Sequence, residues 1–291
     1  MTRAPVARFV RRAWIVPVLL LVAAPAFAQA PRDAPTLVVH LSDVAGVAPL
    51  PGLDASRLPG TRADGVLDAD PAPEGNPDSA VAHVRELQRL LNLRLATGAP
   101  ASLVVDGALR PAVLALNVTA RAHEALGEVE ARVVLVEDGA TFAGRSYRFV
   151  ARADAPPERA NLSAPDAAFS FAREIPIPPG VDASRVGVAV SLRLLQASGA
   201  HEAGEVVQSA SWSPRQDGPT VQDEKAVLVE HVSATWCEPC AASDAAIDLL
   251  AAQQGETTSG GAYLRAPSAW AAGGALVGLL AAIVATRRLR G

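Results

Sequence analysis

The two cysteines of this chain lie within the segment TWCEPC at 235–240, and the 291 residues contain no others. Two residues between thiols is the spacing that brings both sulfurs to the first turn of a helix. There, unpaired backbone N–H groups and the helix dipole stabilise a thiolate. The apolar run at 226–232 predicts a buried strand before the motif, and Ile247, Leu250 and Ala251 share one face of a predicted helix at 237–254. The two cysteines and the apolar pattern around them therefore predict a strand, a tight turn and a helix at 226–254.

The sequence at each end of the chain has the features of a segment that enters a membrane. A basic start, an apolar run at 14–24 and the pattern Ala-Phe-Ala at 26–28 predict a signal peptide at 1–28, with an uncleaved signal anchor as the alternative. Residues 268–286 are uncharged and largely apolar, and arginines follow, which predicts one transmembrane helix with a cytoplasmic tail at 287–291. A buried core helix and a sorting signal trimmed after export are the alternatives. Gly274 and Gly278 form a GxxxG pattern, a weak indication of a homodimer through this helix.

The segment between these ends is about 235 residues long, enough for one large domain or two small ones. The net charge of −4 and the lack of a basic stripe exclude a typical nucleic-acid-binding protein. Export would place the thiols where disulfides persist. The five histidines show no paired metal-ligand spacing, so we expect neither a metal nor a cofactor other than a redox-active disulfide.

The N-terminal third of this segment predicts α/β structure. Residues 36–42 form an apolar, β-branched run that is typical of a buried strand. Residues 43–77 are dense in Pro, Gly and Asp and predict an irregular excursion. Residues 79–95 have apolar side chains at helical spacing, after Asp78 or Ser79 as the cap. A short buried strand is expected at 101–106, after the turn residues 98–100.

The following hundred residues predict an all-β antiparallel sandwich. Short alternating or apolar runs recur with turn-rich segments between them, a spacing typical of this architecture. The predicted strands lie at 113–120, 131–137, 147–151, 168–171, 186–194 and 206–212. A polar linker at 213–224 follows, and a Ser/Thr/Gly tether at 255–267 leads to the predicted membrane helix.

The strand, the WCxPC motif and the helix resemble the opening βα unit of the thioredoxin superfamily. A thioredoxin fold also needs further strands and a cis-proline loop that faces the cysteines. Residues 36–42, 79–95 and 99–107 resemble its second strand, its following helix and its cis-proline loop with Pro100. The resemblance thus implies a minimal, circularly permuted thioredoxin-like domain made of residues 34–107 and 225–254.

The predicted sandwich, 108–212, would interrupt that domain. Its segments at 134–139, 147–152 and 205–210 resemble the sandwich of exported, thioredoxin-like proteins of the outer-membrane lipoprotein type. The alternative treats 36–107 as an unrelated α/β unit and 226–254 as a truncated fragment, although an isolated βα unit could not bury its own apolar face.

The resemblance assigns roles to the residues around the thiols. Cys237, partly exposed, would be the attacking thiolate, and Cys240 would resolve the mixed disulfide. Trp236 would shield the site, while Glu238 and Pro239 would tune the start of the helix. Pro100, if cis as in the family, would keep a backbone edge open for the substrate chain.

The sequence thus predicts a single-pass membrane protein with most of its chain outside the cytoplasm. We expect a thiol–disulfide oxidoreductase that acts on exported proteins. The alternative is a cell-surface binding protein whose sandwich is the working part, with a structural disulfide in a thioredoxin-like scaffold. A disulfide that closes so short a loop stabilises a fold little, which favours the redox role.

Overall fold

A computed structural model of the chain describes residues 35–44, 46–53, 58–69 and 79–254. The predicted signal peptide, tether, transmembrane helix and cytoplasmic tail lie outside these residues. Within them, no helix is both long enough and apolar enough to cross a membrane.

The described residues form two α-helices and fifteen strands, numbered here in chain order. The helices are α1 (Ser79–Leu95) and α2 (Cys240–Gln254). The strands before the predicted sandwich are β1 (Thr36–Leu41), β2 (Gly60–Ala63) and β3 (Leu67–Ala69). The remaining strands are β4 (Ala101–Arg110), β5 (Val113–Ala122), β6 (Gly127–Glu137), β7 (Ala140–Phe142), β8 (Arg145–Tyr147), β9 (Val150–Asp154), β10 (Glu158–Leu162), β11 (Ala168–Pro176), β12 (Val186–Leu194), β13 (Val206–Trp212), β14 (Thr220–Gln222) and β15 (Leu228–Ser233).

These strands assemble into one large sheet, one smaller sheet and a hairpin. The nine-stranded sheet has the order β13-β12-β6-β9-β1-β15-β2-β3, with β10 also paired to β6. The four-stranded sheet has the order β11-β5-β4-β14, and β7 pairs with β8. The parallel pairs are β1 with β15, along their whole length, and β1 with β9, at one position. The last strand of the fold thus lies beside the first.

The predicted β-sandwich is present. Alternate residues of β6, such as Val133 and Leu135, pack with β12 and with the four-stranded sheet in one core. The intervening residues, Val134 and Val136, face the opposite way into a second core. Because successive side chains of a strand point to opposite faces, β6 lies between the two cores and contributes side chains to both.

The second core connects the sandwich to the two ends of the described chain. Strands β1 and β15 are buried at every position, as expected for a parallel pair covered on both faces. Both helices contribute apolar side chains to this core, including Leu87 and Leu91 of α1 and Ile247 and Leu250 of α2. The α1 and α2 helices also contact each other.

The structure departs from several predicted boundaries. The segment predicted as irregular, 43–77, contains β2 and β3, because β2 pairs with β15. Strand β4 continues to Arg110 and pairs with β5 over ten positions, so residues 101–107 belong to the sandwich. The predicted linker 213–224 contributes β14, which pairs with β4. Helix α2 begins at Cys240 rather than Cys237, because residues 238–239 form a turn.

Candidate functional site

The two cysteines form a disulfide at the carboxyl end of β15. Their Cα atoms are 5.3 Å apart. The backbone N–H of Cys240, the first residue of α2, donates a hydrogen bond to Cys237 Sγ over 3.2 Å. Unpaired N–H groups at a helix start stabilise negative charge, so the same N–H can stabilise a Cys237 thiolate after reduction.

Burial of the two sulfurs is greater than the sequence suggested. Cys240 is fully buried, as expected for a resolving thiol, but Cys237 is also only 5 % exposed rather than partly exposed. Both pack with Ala234 and with the half-buried Leu58. The Cys237 sulfur is therefore nearly closed to solvent, and little of its surface is available to a partner.

The residues next to the cysteines in the motif are more exposed than the cysteines themselves. Trp236 is 70 % exposed, so its indole presents a flat apolar surface next to Cys237 rather than covering it. Glu238 is exposed and Pro239 is half-buried in the turn that precedes α2. The motif therefore offers apolar and negatively charged surface on either side of a nearly covered sulfur.

Pro100 does not lie in the place that the resemblance implied. It precedes β4, its carbonyl accepts a hydrogen bond from His123 N–H over 2.8 Å, and its peptide bond is not cis. Among the described residues, the cis peptide bond joins Leu58 to Pro59, immediately before β2, and Leu58 contacts the disulfide. The pairing of β2 with β15 brings this loop to the site, and no local sequence signal marked it.

Asp43 fixes the turn that carries the cysteines. Its carboxylate accepts hydrogen bonds from Thr235 N–H over 3.2 and 3.3 Å and from the Thr235 hydroxyl. Slight burial raises the pKa of Asp43, but these hydrogen bonds outweigh it and hold the pKa below its usual value. Since Asp43 follows β1 and Thr235 follows β15, the carboxylate ties together the ends of the two parallel strands.

A buried polar group lies between β15 and α2, behind the disulfide. His231 Nε2 lies 3.0 Å from Asp244 Oδ1, and His231 Nδ1 lies 2.8 Å from the hydroxyl of Thr61 on β2. His231 is 1 % exposed. The sequence placed His231 on the strand before the motif but did not identify its partners, which come from two distant elements.

The opposite face of β15 carries a second buried pair. Glu230 accepts from Leu50 N–H, and its Oε1 lies 3.0 Å from His40 Nε2 of β1. His40 Nδ1 lies 2.8 Å from the carbonyl oxygen of Val47. These bonds fix the segment after β1, which leads towards the Leu58 loop. In the described part of the chain, no three His, Cys, Asp or Glu residues are grouped to hold a metal ion.

Comparison with known proteins leaves the chain without an assigned family. No protein-family model and no curated protein matches it. Among solved structures, HBP35 of Porphyromonas gingivalis is similar with 11 % identity and a TM-score of 0.34, over 44 % of this chain and 45 % of that one. The β-glucosidase 3B of Thermotoga neapolitana has 10 % identity and a TM-score of 0.26, over 42 % and 16 % of the two chains. The chain thus matches less than half the length of either protein, and at these scores the similarities carry no argument about function.

Proposed function

We propose that this protein is a thiol–disulfide oxidoreductase that acts on exported proteins through Cys237 and Cys240. The observation that carries the proposal is the disulfide at the start of α2, with the Cys240 N–H directed at Cys237 Sγ. This arrangement favours the Cys237 thiolate over the thiol. The predicted signal peptide and transmembrane helix would hold the site outside the cytoplasm.

The pairing of the strands supports a permuted, thioredoxin-like origin for this half of the fold. The cysteine-bearing strand, β15, lies between the parallel β1 and the antiparallel β2, and α1 and α2 contact each other. The resemblance calls for a proline loop beside the cysteines. Leu58, followed by Pro59, supplies that contact in place of Pro100.

Each exchange balances between the protein and its substrate, and the reduced protein that starts it forms when an external dithiol reduces the Cys237–Cys240 disulfide. In the reduced protein, the Cys237 thiolate attacks one sulfur of a substrate disulfide, and the other substrate sulfur leaves as a thiolate. Cys240, as thiolate, then attacks Cys237 Sγ. The Cys237–Cys240 disulfide forms, the bond from Cys237 to the substrate breaks, and the reduced substrate leaves. The reverse sequence oxidises a substrate dithiol.

Trapping the mixed disulfide tests this proposal. Cys240→Ser should accumulate disulfide-linked complexes with exported proteins after acid quench and alkylation, because the resolving thiol is missing. The matched control, Cys237→Ser, should accumulate far fewer, because the buried Cys240 is not presented to partners. If neither variant accumulates disulfide-linked complexes and the wild type does not reduce insulin, the proposal is contradicted. That outcome would favour a structural disulfide in a binding protein.

A further inference from the structure

Strand β11 forms an open edge of the four-stranded sheet. In the described part of the chain, β11 pairs with β5 alone, along all nine of its residues. Just outside this stretch, Ala122 N–H donates to the Ala167 carbonyl and Ile177 N–H donates to the Ala112 carbonyl. Because the backbone groups of successive residues in an antiparallel strand point to alternate sides, the odd-numbered residues of β11 bond to β5. The even-numbered residues direct their N–H and C=O groups to the open side.

This edge has little of the protection that exposed edge strands usually carry. Natural edge strands are short, contain lysine or proline, or are bent by a bulge. Strand β11 has nine residues, no lysine and no register shift, and its proline, Pro176, is the last residue. The Ala172 carbonyl on the open side accepts from the Arg173 guanidinium over 2.9 Å, a bond that a backbone N–H can replace. The edge is therefore suited to pairing with another strand.

The side chains of β11 differ on its two faces. Phe169 and Phe171 stack with their ring centroids 5.8 Å apart, yet both are only half-buried against the sandwich core. The Arg173 guanidinium lies 5.8 Å from the centroid of Phe171. On the outer face, Ser170 and Ala172 are small and exposed. A strand added at this edge would cover the half-buried rings on one face and meet no bulky side chain on the other.

We propose that β11 pairs antiparallel with β11 of a second copy of this chain, about a two-fold axis at Phe171. Such pairing uses the same surface of both copies, as in most homodimers. In this register Ser170 faces Ala172 of the second copy, and Phe171 faces Phe171 of the second copy. Aromatic pairs on neighbouring strands stabilise a sheet. A register centred on Ala172 would instead place Pro176, which has no N–H, within the hydrogen-bonded stretch.

The charges in this register are complementary. Arg173 lies opposite Phe169 of the second copy, which gives its guanidinium a second aromatic neighbour. Ala168 lies opposite Glu174 of the second copy, and Arg121 of β5 pairs with Ala168 from the other side. Two strand spacings are about 10 Å, a distance that the side chains of Arg121 and Glu174 can span across the small Ala168. The two-fold axis forms this pair twice, and no like charges lie directly opposite each other.

The size of the interface sets the expected affinity. Each copy contributes one strand of nine residues, whereas a stable interface uses about 20–30 residues a side. We therefore expect a weak, reversible dimer with a dissociation constant of about 1–100 µM. The surface lies on the sandwich and does not involve the cysteines, so the inference stands apart from the proposed exchange activity.

Sedimentation velocity of the full chain in density-matched detergent tests the inference. Ser170→Pro removes an N–H that faces the open side, so the fold should tolerate it, but the added strand loses a donor and meets the proline ring. We expect the dissociation constant to rise about tenfold or more. Ser170→Ala is the matched control, because both variants lose the hydrogen bond between the Ser170 and Thr119 hydroxyls and only the proline loses the N–H. The alanine variant should dimerise like the wild type. A wild type that stays monomeric up to about 200 µM, well above the expected range, overturns the inference.

A cross-link tests the register without relying on the proline variant. In a chain with Cys237→Ser and Cys240→Ser, Phe171→Cys should form a disulfide-linked dimer on mild oxidation, because residues opposite each other at such a position have Cα atoms about 4.5 Å apart. Phe169→Cys is the matched control. It lies about 14 Å along the strand from its counterpart in the second copy and should stay monomeric. Equal cross-linking of both variants overturns the proposed register and with it the inference.

The predicted transmembrane helix offers another route to a dimer, and one further variant separates the two. Gly274→Ile changes the GxxxG pattern at 274–278 and leaves β11 intact. We expect the Gly274→Ile protein to dimerise like the wild type. A dimer that Gly274→Ile abolishes and Ser170→Pro leaves unchanged belongs to that helix, and this result overturns the inference.

Discussion

Asp64→Asn should strongly destabilise the fold, because Asp64 links β15 and α1 to the sandwich through buried ion pairs. Its side chain is fully buried, with Oδ2 2.8 Å from Lys225 Nζ and 3.0 Å from Arg94 Nε. Its Oδ1 accepts from Leu228 N–H over 2.8 Å. Arg94 is also paired with Glu205, next to β13 of the sandwich.

The expected loss in free energy of unfolding follows from the contacts that remain after the substitution. An asparagine at 64 can still accept from Leu228 N–H, but its amide group would face two cationic donors. Burial already lowers the pKa of Lys225, and the Asp64 carboxylate opposes that shift. Removing one partner of a buried ion pair typically costs about 3–5 kcal/mol. Asn also tolerates the left-handed backbone of residue 64, with φ 49°, so the loss reports the charge rather than strain.

Urea unfolding followed by circular dichroism measures this loss on the full chain at pH 7. Asp68→Asn is the matched control, because Asp68 also pairs with an arginine, Arg62, but its side chain is 64 % exposed. Exposed pairs contribute about 0–1 kcal/mol. Adding Lys225→Met to Asp64→Asn should recover part of the loss, since the unpaired buried cation is then removed. If Asp64→Asn and Asp68→Asn lose the same free energy of unfolding, the buried ion pairs of Asp64 with Arg94 and Lys225 do not hold the fold together.

Two further changes test the sandwich and its junction. Gly107→Ala should lower the free energy of unfolding by about 1–3 kcal/mol, because the new Cβ would lie 2.8 Å from Trp212 Cζ3; an unchanged urea midpoint would show that the indole can move. Burial raises the pKa of Glu205, but the hydrogen bonds from Arg94, His201 and the Glu202 N–H together outweigh it and hold that pKa below its usual 4.5. This stabilisation is therefore present above pH 4.5 and is lost as pH falls through the lower folded pKa. Glu205→Gln should have a lower free energy of unfolding than the wild type at pH 7 and should lose less of it on acidification. Parallel plots of the free energy of unfolding against pH for the two proteins would contradict the assignment.

Periodic patterns predicted the regular parts of the fold well. The helix at Ser79–Leu95 has the bounds that its apolar spacing indicated, because an amphipathic helix carries its signal locally. Strand β12, Val186–Leu194, also matches its prediction, since it is nearly continuous apolar sequence between turn residues. In both segments the side chains that pack are those that form the pattern.

The parts around the disulfide could not be predicted in the same way, because they depend on pairing between distant residues. Strand β2 is only four residues long and includes Arg62, so it carries no periodic signal. Its pairing with β15, about 170 positions later, decides that Leu58 rather than Pro100 approaches the cysteines. The partners of Glu230 and His231 lie on other elements, so the sequence shows two polar residues in an apolar strand but not what satisfies them.

The topology explains why the disulfide-bearing half needs the rest of the chain. Strands β1 and β15 are parallel, so their carboxyl ends meet at one edge, where Asp43 and Thr235 join and the cysteines follow. On the opposite side, the Asp64 carbonyl accepts from Val206 N–H at the start of β13. Residues of β6 and β9 complete the core beneath β1. The sandwich is therefore part of the support of the disulfide. The proposed exchange activity has to be measured on the intact chain, since excising 101–222 would remove β6 and β9, which complete the core beneath β1.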